Sequence, residues 1–238
     1  MKINANGSSL TREAWLPILA AEQLALGLLG KLLFEFPAKD WFQSLAAEAI
    51  FDEIPFAAQQ SDVQRGLEHL SQWSHENQNE LTATSFEAIT SDYTSLFIGP
   101  GEVLAPPWES VYFSDGRLTF QEQTLQVRTW FRRFGLESAK LKNEPDDHIG
   151  LEMALLAHIA GLAIVALEQK AEDEFWKLLE VQQRFLTEHP LRWMSQWCEL
   201  VLAHARTDFY RGVALVTRGV LTELATILEV NLAEGLQS

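Results

Sequence analysis

Five consecutive residues, Glu144 to His148, bring together a proline, three carboxylates and a histidine. Glu144, His148 and Glu152 follow one another at intervals of four, so a helix would place an imidazole and two carboxylates on one face. Such a face could bind a metal ion or transfer a proton. The His-x-x-x-His pairing of zinc proteases is missing. The sequence therefore predicts no metal ligand and no catalytic residue.

The same cluster has the composition of a helix start. Pro145 suits the first helical position because its missing N–H would be unpaired there. Asp146 and Asp147 would lie in the first turn, where carboxylates interact favourably with the positive end of the helix dipole. This structural interpretation accounts for every residue of the cluster except His148.

A second group with binding chemistry lies in "APPWESVY", where two prolines precede Trp108 and Glu109. Prolines restrict the loop, and a rigid aromatic ring beside a carboxylate suits a peptide with apolar and arginine side chains. The alternative is that Trp108 fills the core under the loop. The group belongs to the longest irregular segment, 98–120, and loops of that length usually have a function.

Helical periodicity surrounds both groups and predicts an all-α fold of about eight to ten helices. We expect a single domain over 1–238, with an N-terminal layer at about 12–97, a loop at 98–120, a C-terminal layer at about 121–235 and a hinge near 142–148. The predicted helices cover 18–36, 41–51, 61–73, 84–97, 121–135, 145–169, 171–188, 191–204 and 208–231.

The amino-acid composition and charge of the chain exclude or disfavour several classes of function. The 238 residues are 47% hydrophobic, which excludes a disordered chain, and carry a formal charge of -15, which disfavours nucleic acid and anionic membranes. Cys198 is the single cysteine, so a cytoplasmic location is expected. Glu22, Gln23 and Lys31 interrupt the N-terminal apolar run, which predicts a core helix and neither an export signal nor an inserted membrane segment.

Two motifs in this order resemble the TorD/DmsD family of redox-enzyme maturation chaperones. The stretch "DYTSLFIGPGEVLAPPWESVY" is similar to that family's Tyr-x-x-Leu-Phe-x-Gly-Pro helix end and Pro-Pro-Trp loop. About 30 residues later, "NEPDDHIGLEM" is similar to its Glu-Pro-x-Asp-His hinge motif. The agreement is firmest between Tyr93 and Glu152.

The resemblance implies an all-helical cytoplasmic chaperone without catalytic activity or a cofactor of its own. It would bind the twin-arginine signal peptide or the body of a molybdoenzyme catalytic subunit like DMSO or TMAO reductase. It would assist cofactor insertion and proofread that client before Tat export. Tat and molybdenum-cofactor biosynthesis components are further partners that the resemblance allows, and a monomer or a domain-swapped dimer is expected. The alternative is an assembly chaperone for another redox or metal-dependent client without a twin-arginine signal.

Client-binding residues are predicted from the two motifs and the acidic, aromatic character around them. As a hypothesis, Glu144 and Asp147 pair with signal-peptide arginines, while Trp108, Tyr93 and Phe97 line the apolar contact. Asp146 is expected to be structural only. The predicted set is Tyr93, Phe97, Pro107, Trp108, Glu109, Glu144, Pro145, Asp147 and His148.

Overall fold

Ten α-helices form the described part of the chain, residues 12–114, 116–136 and 144–230 of a computed structural model. Within those ranges there is no strand, and the all-α prediction is confirmed. The helices are α1 Arg12–Phe34, α2 Lys39–Ala47, α3 Ser61–Asn77, α4 Ala83–Tyr93, α5 Glu109–Phe113, α6 Glu122–Arg133, α7 Ile149–Glu168, α8 Glu172–Glu188, α9 Pro190–His204 and α10 Asp208–Ile227.

Most helix positions agree with the sequence patterns, and two differences bear on function. The short helix α5 lies inside the segment predicted to be irregular, because its five residues are too few to show a helical period. Helix α7 begins at Ile149, four residues after the predicted start at Pro145. The predicted turn at Asp115 and the first hinge residues, 142–143, lie outside the described residues.

Two close helix crossings organise the core: α1 packs along α7, and α3 packs along α10. A Cβ at Gly150 would lie 2.7 Å from the Gly30 carbonyl oxygen and 2.8 Å from Phe34 Cβ. Only glycine allows this approach, which brings the backbones of α1 and α7 almost into contact. The carboxyl end of α1 is therefore held against the first turn of α7.

Each of these crossings joins a helix that precedes the 98–120 segment to one that follows it. Helices α8 and α9 complete the fold by packing against α7 and α10 respectively. The single domain over 1–238 and its division into two layers stay predictions, because 1–11, 115, 137–143 and 231–238 lie outside the described residues.

Two helices of the described chain are long and apolar enough to span a membrane: Ala14–Phe34, within α1, and α7. They pack against each other, and 67% of the apolar window of α7 is buried inside the fold. Burial against protein on this scale is how core helices behave. The N-terminal apolar run accordingly lies in α1, one of the two central helices.

Candidate functional site

The two sequence motifs lie side by side and are joined through their backbones. The Ile149 N–H donates to the Pro107 carbonyl at 2.8 Å, and the Glu109 N–H donates to the Asp147 carbonyl at 2.9 Å. These bonds form an antiparallel bridge between Trp108 and His148. Segments far apart in sequence thus become one unit, which we call the motif bridge: residues 107–109 paired with 147–149.

A side-chain hydrogen bond adds to the motif bridge at its outer edge. The indole N–H of Trp108 donates to Glu144 Oε1 at 2.7 Å. A bond to a carboxylate is stronger than one between neutral groups, so this contact fixes the ring and the acid relative to each other. Both residues are half-buried, so each keeps part of its surface toward solvent.

Asp147 links three segments from an enclosed position, with an exposed fraction of 0%. Its Oδ2 accepts from the Ser110 backbone N–H at 2.7 Å, and its Oδ1 accepts from the Thr124 hydroxyl at 2.7 Å. These two bonds satisfy the buried carboxylate and hold α5 and α6 to the residues before α7. Asp146 adds an ion pair with Arg128 of α6 at 2.5 Å.

His148 occupies the position just before α7 and explains why that helix starts late. Its Nδ1 accepts a hydrogen bond from the Gly150 N–H at 3.0 Å, which satisfies one of the unpaired donors at the helix start. His148 is extended and pairs with Trp108 of the Pro-Pro-Trp loop, so α7 begins only after it and Pro145 is not the first helical residue. The histidine that the helix-start interpretation left unexplained is the cap itself.

Aromatic contacts connect the motif bridge to the end of α1. The His148 ring lies 5.1 Å from the Phe34 ring and 6.1 Å from the Trp108 ring, both edge-on. The Tyr93 ring lies 5.6 Å from the Phe36 ring, and its hydroxyl donates to the Leu33 carbonyl at 3.1 Å. The last residues of α1 therefore contact both predicted motif regions.

A π-helical turn, Thr94–Ile98, follows α4 within the first motif. The Gly99 N–H donates to the Thr94 carbonyl at 2.8 Å, and Gly99 has a φ of 93°, which favours glycine. Such turns distort a helix and are frequent near functional sites. The Phe97 ring faces inward and stacks on Trp197 at 6.1 Å, so it belongs to the core.

Behind the motif bridge lies a buried group of acids. Glu109 Oε2 accepts from His189 Nδ1 at 2.8 Å, with exposed fractions of 0% and 1%. Glu152 Oε2 accepts from the Trp193 indole N–H at 3.3 Å. Burial raises the pKa of Glu152 well above its ordinary value, and the nearby Glu109 and Asp147 carboxylates raise it further. Glu152 lies in the first turn of α7, where burial and the neighbouring carboxylates favour its protonated form.

Seven of the nine predicted client-binding residues are buried, and two are half-buried. The half-buried two are Trp108 and Glu144. Because Asp147 is enclosed, a peptide arginine cannot reach it in this conformation, and Tyr93 and Phe97 offer little surface to an apolar segment. The buried seven are Tyr93, Phe97, Pro107, Glu109, Pro145, Asp147 and His148.

Three exposed residues near these motifs were not predicted. Phe36 is 55% exposed and Ile98 is 53% exposed, and Glu35 precedes Phe36 on the surface. The periodic run was expected to continue to Phe36, whereas α1 ends at Phe34. A side chain beyond a helix end no longer follows the helix face, so Phe36 projects outward. Pro37, which stops the run, was the available signal.

The acids and histidines behind the motif bridge do not form a metal site. Across the described ranges, no group of three or more histidine, cysteine, aspartate or glutamate side chains is arranged to hold a metal ion. These side chains are instead hydrogen-bonded to each other, to tryptophan or to backbone groups.

Comparison with known proteins gives one family match. The family model described as "Nitrate reductase delta subunit" matches residues 57–199, more than half of the chain. A Haemophilus influenzae relative that carries the name probable Tat proofreading chaperone DmsD is 32% identical over 143 residues, 60% of this chain and 63% of its own length. The Tat proofreading chaperone DmsD of Salmonella typhimurium is 29% identical over 139 residues, 58% and 61% of the two lengths.

A third relative, the chaperone protein TorD of Aliivibrio fischeri, is 26% identical over 125 residues, 52% of this chain and 57% of its own length. The chain thus spans less than two thirds of the length of these relatives. A solved structure of a redox enzyme maturation protein from Archaeoglobus fulgidus is 19% identical, covers 90% of this chain and 96% of its own, and has a TM-score of 0.45. That similarity is too weak to support a structural argument.

Proposed function

We propose a function from one premise: the chain belongs to the nitrate reductase delta subunit family, among relatives named as DmsD and TorD chaperones. Its proposed role is that of a cytoplasmic chaperone without enzymatic activity. It binds the twin-arginine signal peptide, the body, or both, of a molybdoenzyme catalytic subunit like DMSO or TMAO reductase. Binding delays Tat export until the cofactor has been inserted.

The observation that carries this proposal is the half-buried pair of Trp108 and Glu144. The pair offers an aromatic face and a carboxylate at one surface position, held by the 2.7 Å hydrogen bond between them. A guanidinium group can stack on an indole while it donates to a carboxylate, so the pair suits an arginine. The formal charge of -15 favours the approach of a basic peptide.

The other predicted site residues receive positioning roles in this proposal. Asp147 and His148 hold the motif bridge, Pro107 and Pro145 restrict its two segments, and Glu109 anchors it to α9 through His189. Tyr93 and Phe97 are buried and stabilise the surface of Trp108 and Glu144 through core packing. The same proposal includes two further points. The chain is a monomer or a domain-swapped dimer, and Tat and molybdenum-cofactor biosynthesis components are additional partners.

Capture of the client tests this function in cells. Tagged wild-type protein from anaerobic cultures is expected to retain a molybdoenzyme precursor that still carries its twin-arginine signal, identified by mass spectrometry. The variant Trp108→Ala, which keeps Glu144 but removes the ring, is expected to retain about thirtyfold less, the loss expected of a binding hot spot. Recovery of a redox client that has no such signal would favour the alternative chaperone function instead.

A further inference from the structure

We infer that the two residues after α1 form the second half of the peptide site: Glu35 pairs with one signal-peptide arginine, and Phe36 makes the first apolar contact that follows. This inference rests on the proposed function and extends it to two residues that neither motif contains. Glu144 and Trp108 would then engage one arginine, and Glu35 and Phe36 the other arginine and the apolar segment. We call these four residues the paired site.

Contacts around Tyr93 place the two halves together. Its ring lies 5.6 Å from Phe36, and its hydroxyl bonds to the Leu33 carbonyl, two residues before Glu35. Burial raises the pKa of the Tyr93 phenol, and the Glu144 and Glu35 carboxylates raise it further. The Phe34 ring, next to Glu35 in sequence, lies 5.1 Å from the His148 ring, which in turn lies 6.1 Å from the Trp108 ring. The residues that follow α1 and the hinge motif are therefore neighbours. Two acids around one aromatic group match a ligand with two adjacent cations.

Exposure shows which side chains a ligand can reach. Phe36 is 55% exposed, although its ring touches Tyr93, and the Glu35 side chain is 55% exposed. Lys31 lies 3.9 Å from Glu35 and 4.2 Å above the Trp41 ring. An exposed pair at that distance contributes little, so a peptide guanidinium can displace the lysine from Glu35.

The side chains of the paired site favour one kind of ligand. A purely apolar partner would bury two carboxylates without cations, which is unfavourable. A purely basic partner would leave the exposed face of Phe36 in water. A segment with adjacent arginines followed by apolar residues satisfies both parts, and this is the order of a twin-arginine signal.

Fluorescence anisotropy with a synthetic peptide, two adjacent arginines followed by an apolar segment, tests the paired site. Glu35→Gln is expected to weaken binding about threefold and Phe36→Ser about tenfold, the values of one surface charge pair and of one partly buried ring. Glu188→Gln is the matched charge control, because Glu188 also forms a solvent-accessible i,i+4 pair at the end of a helix, with Arg184. Phe120→Ser is the matched aromatic control, since Phe120 is 56% exposed. Both controls should bind like the wild type.

Each outcome has a separate meaning. If wild type binds but Glu35→Gln or Phe36→Ser binds as tightly, the inference is overturned and the proposed function stands. Equal weakening in the control variants also overturns the inference, because the effect would then reflect overall charge or surface. Failure of the wild type to bind the peptide overturns the proposed function itself. None of the four substituted residues is buried, so thermal unfolding should stay near that of the wild type.

Discussion

Replacement of Asp147 by alanine is expected to lower the free energy of unfolding by about 3 kcal/mol. The change removes the acceptor for the Ser110 N–H and the Thr124 hydroxyl, which then remain buried without these partners. It also removes one of the links that join α5 and the start of α6 to the hinge segment, while the backbone bridge and the Asp146–Arg128 ion pair remain. Urea denaturation followed by tryptophan fluorescence and circular dichroism measures the loss.

A neighbouring carboxylate supplies the control for this prediction. Glu144 is half-buried and accepts from the Trp108 indole, so Glu144→Ala is expected to cost less than about 1 kcal/mol. Asp147→Asn retains one acceptor oxygen and should fall between the two. An Asp147→Ala protein that unfolds at the same urea concentration as the wild type would show that Asp147 does not tie the three segments together.

The second large effect is a dependence of stability on pH that arises from Glu22. This α1 residue is 1% exposed, accepts a hydrogen bond from the Gln182 amide, and burial raises its pKa from 4.5 to about 8. Above pH 4.5 the unfolded chain releases the proton that the folded protein keeps. The stability that Glu22 contributes is therefore fully present below pH 4.5 and declines until about pH 8, by on the order of 5 kcal/mol in total.

Glu22→Gln is expected to remove the part of the slope that Glu22 contributes and to leave the part that comes from Glu152, because a glutamine has no proton to lose and can still accept from Gln182. The measurement is the free energy of unfolding across the pH window, compared between variant and wild type. Glu87→Gln, an exposed change on α4, should leave the wild-type slope intact. Parallel curves for Glu22→Gln and the wild type would show that Glu22 does not carry the pH dependence.

The positions of the long helices could be predicted from the sequence because their apolar residues recur over many turns. The predicted helices 171–188 and 191–204 agree with α8 and α9 to within one residue at each end. Helix α5 was missed because five residues show no period. The start of α7 was misplaced because Pro145 and the two aspartates satisfy the local rules for a helix start, while long-range pairing with residues 107–109 overrides them.

The candidate site was predicted as a set of residue types, and the structure distributes those residues between surface and interior. A motif does not say which of its carboxylates is enclosed: Asp147 is buried by Thr124 and Ser110, whereas Glu144 is not. Both lie within four residues of sequence, so composition could not separate them. Phe36 was missed for the converse reason, since its burial was expected from a helix that ends two residues earlier.

The central claim is that the surface formed by Trp108 and Glu144 recognises an arginine of the twin-arginine pair. Calorimetric titration of the twin-arginine peptide into wild type and Glu144→Gln tests it most directly. The glutamine side chain of the variant can still accept from the Trp108 N–H, so the geometry is kept while the charge is lost. A second peptide, with both arginines replaced by glutamine, reports the contribution of the arginines.

We expect the wild type to bind the twin-arginine peptide and to bind the glutamine peptide at least about tenfold more weakly. Glu144→Gln should lose about tenfold in affinity for the twin-arginine peptide and nothing for the glutamine peptide. Equal affinity of the wild type for both peptides, or of both proteins for the twin-arginine peptide, would contradict the account.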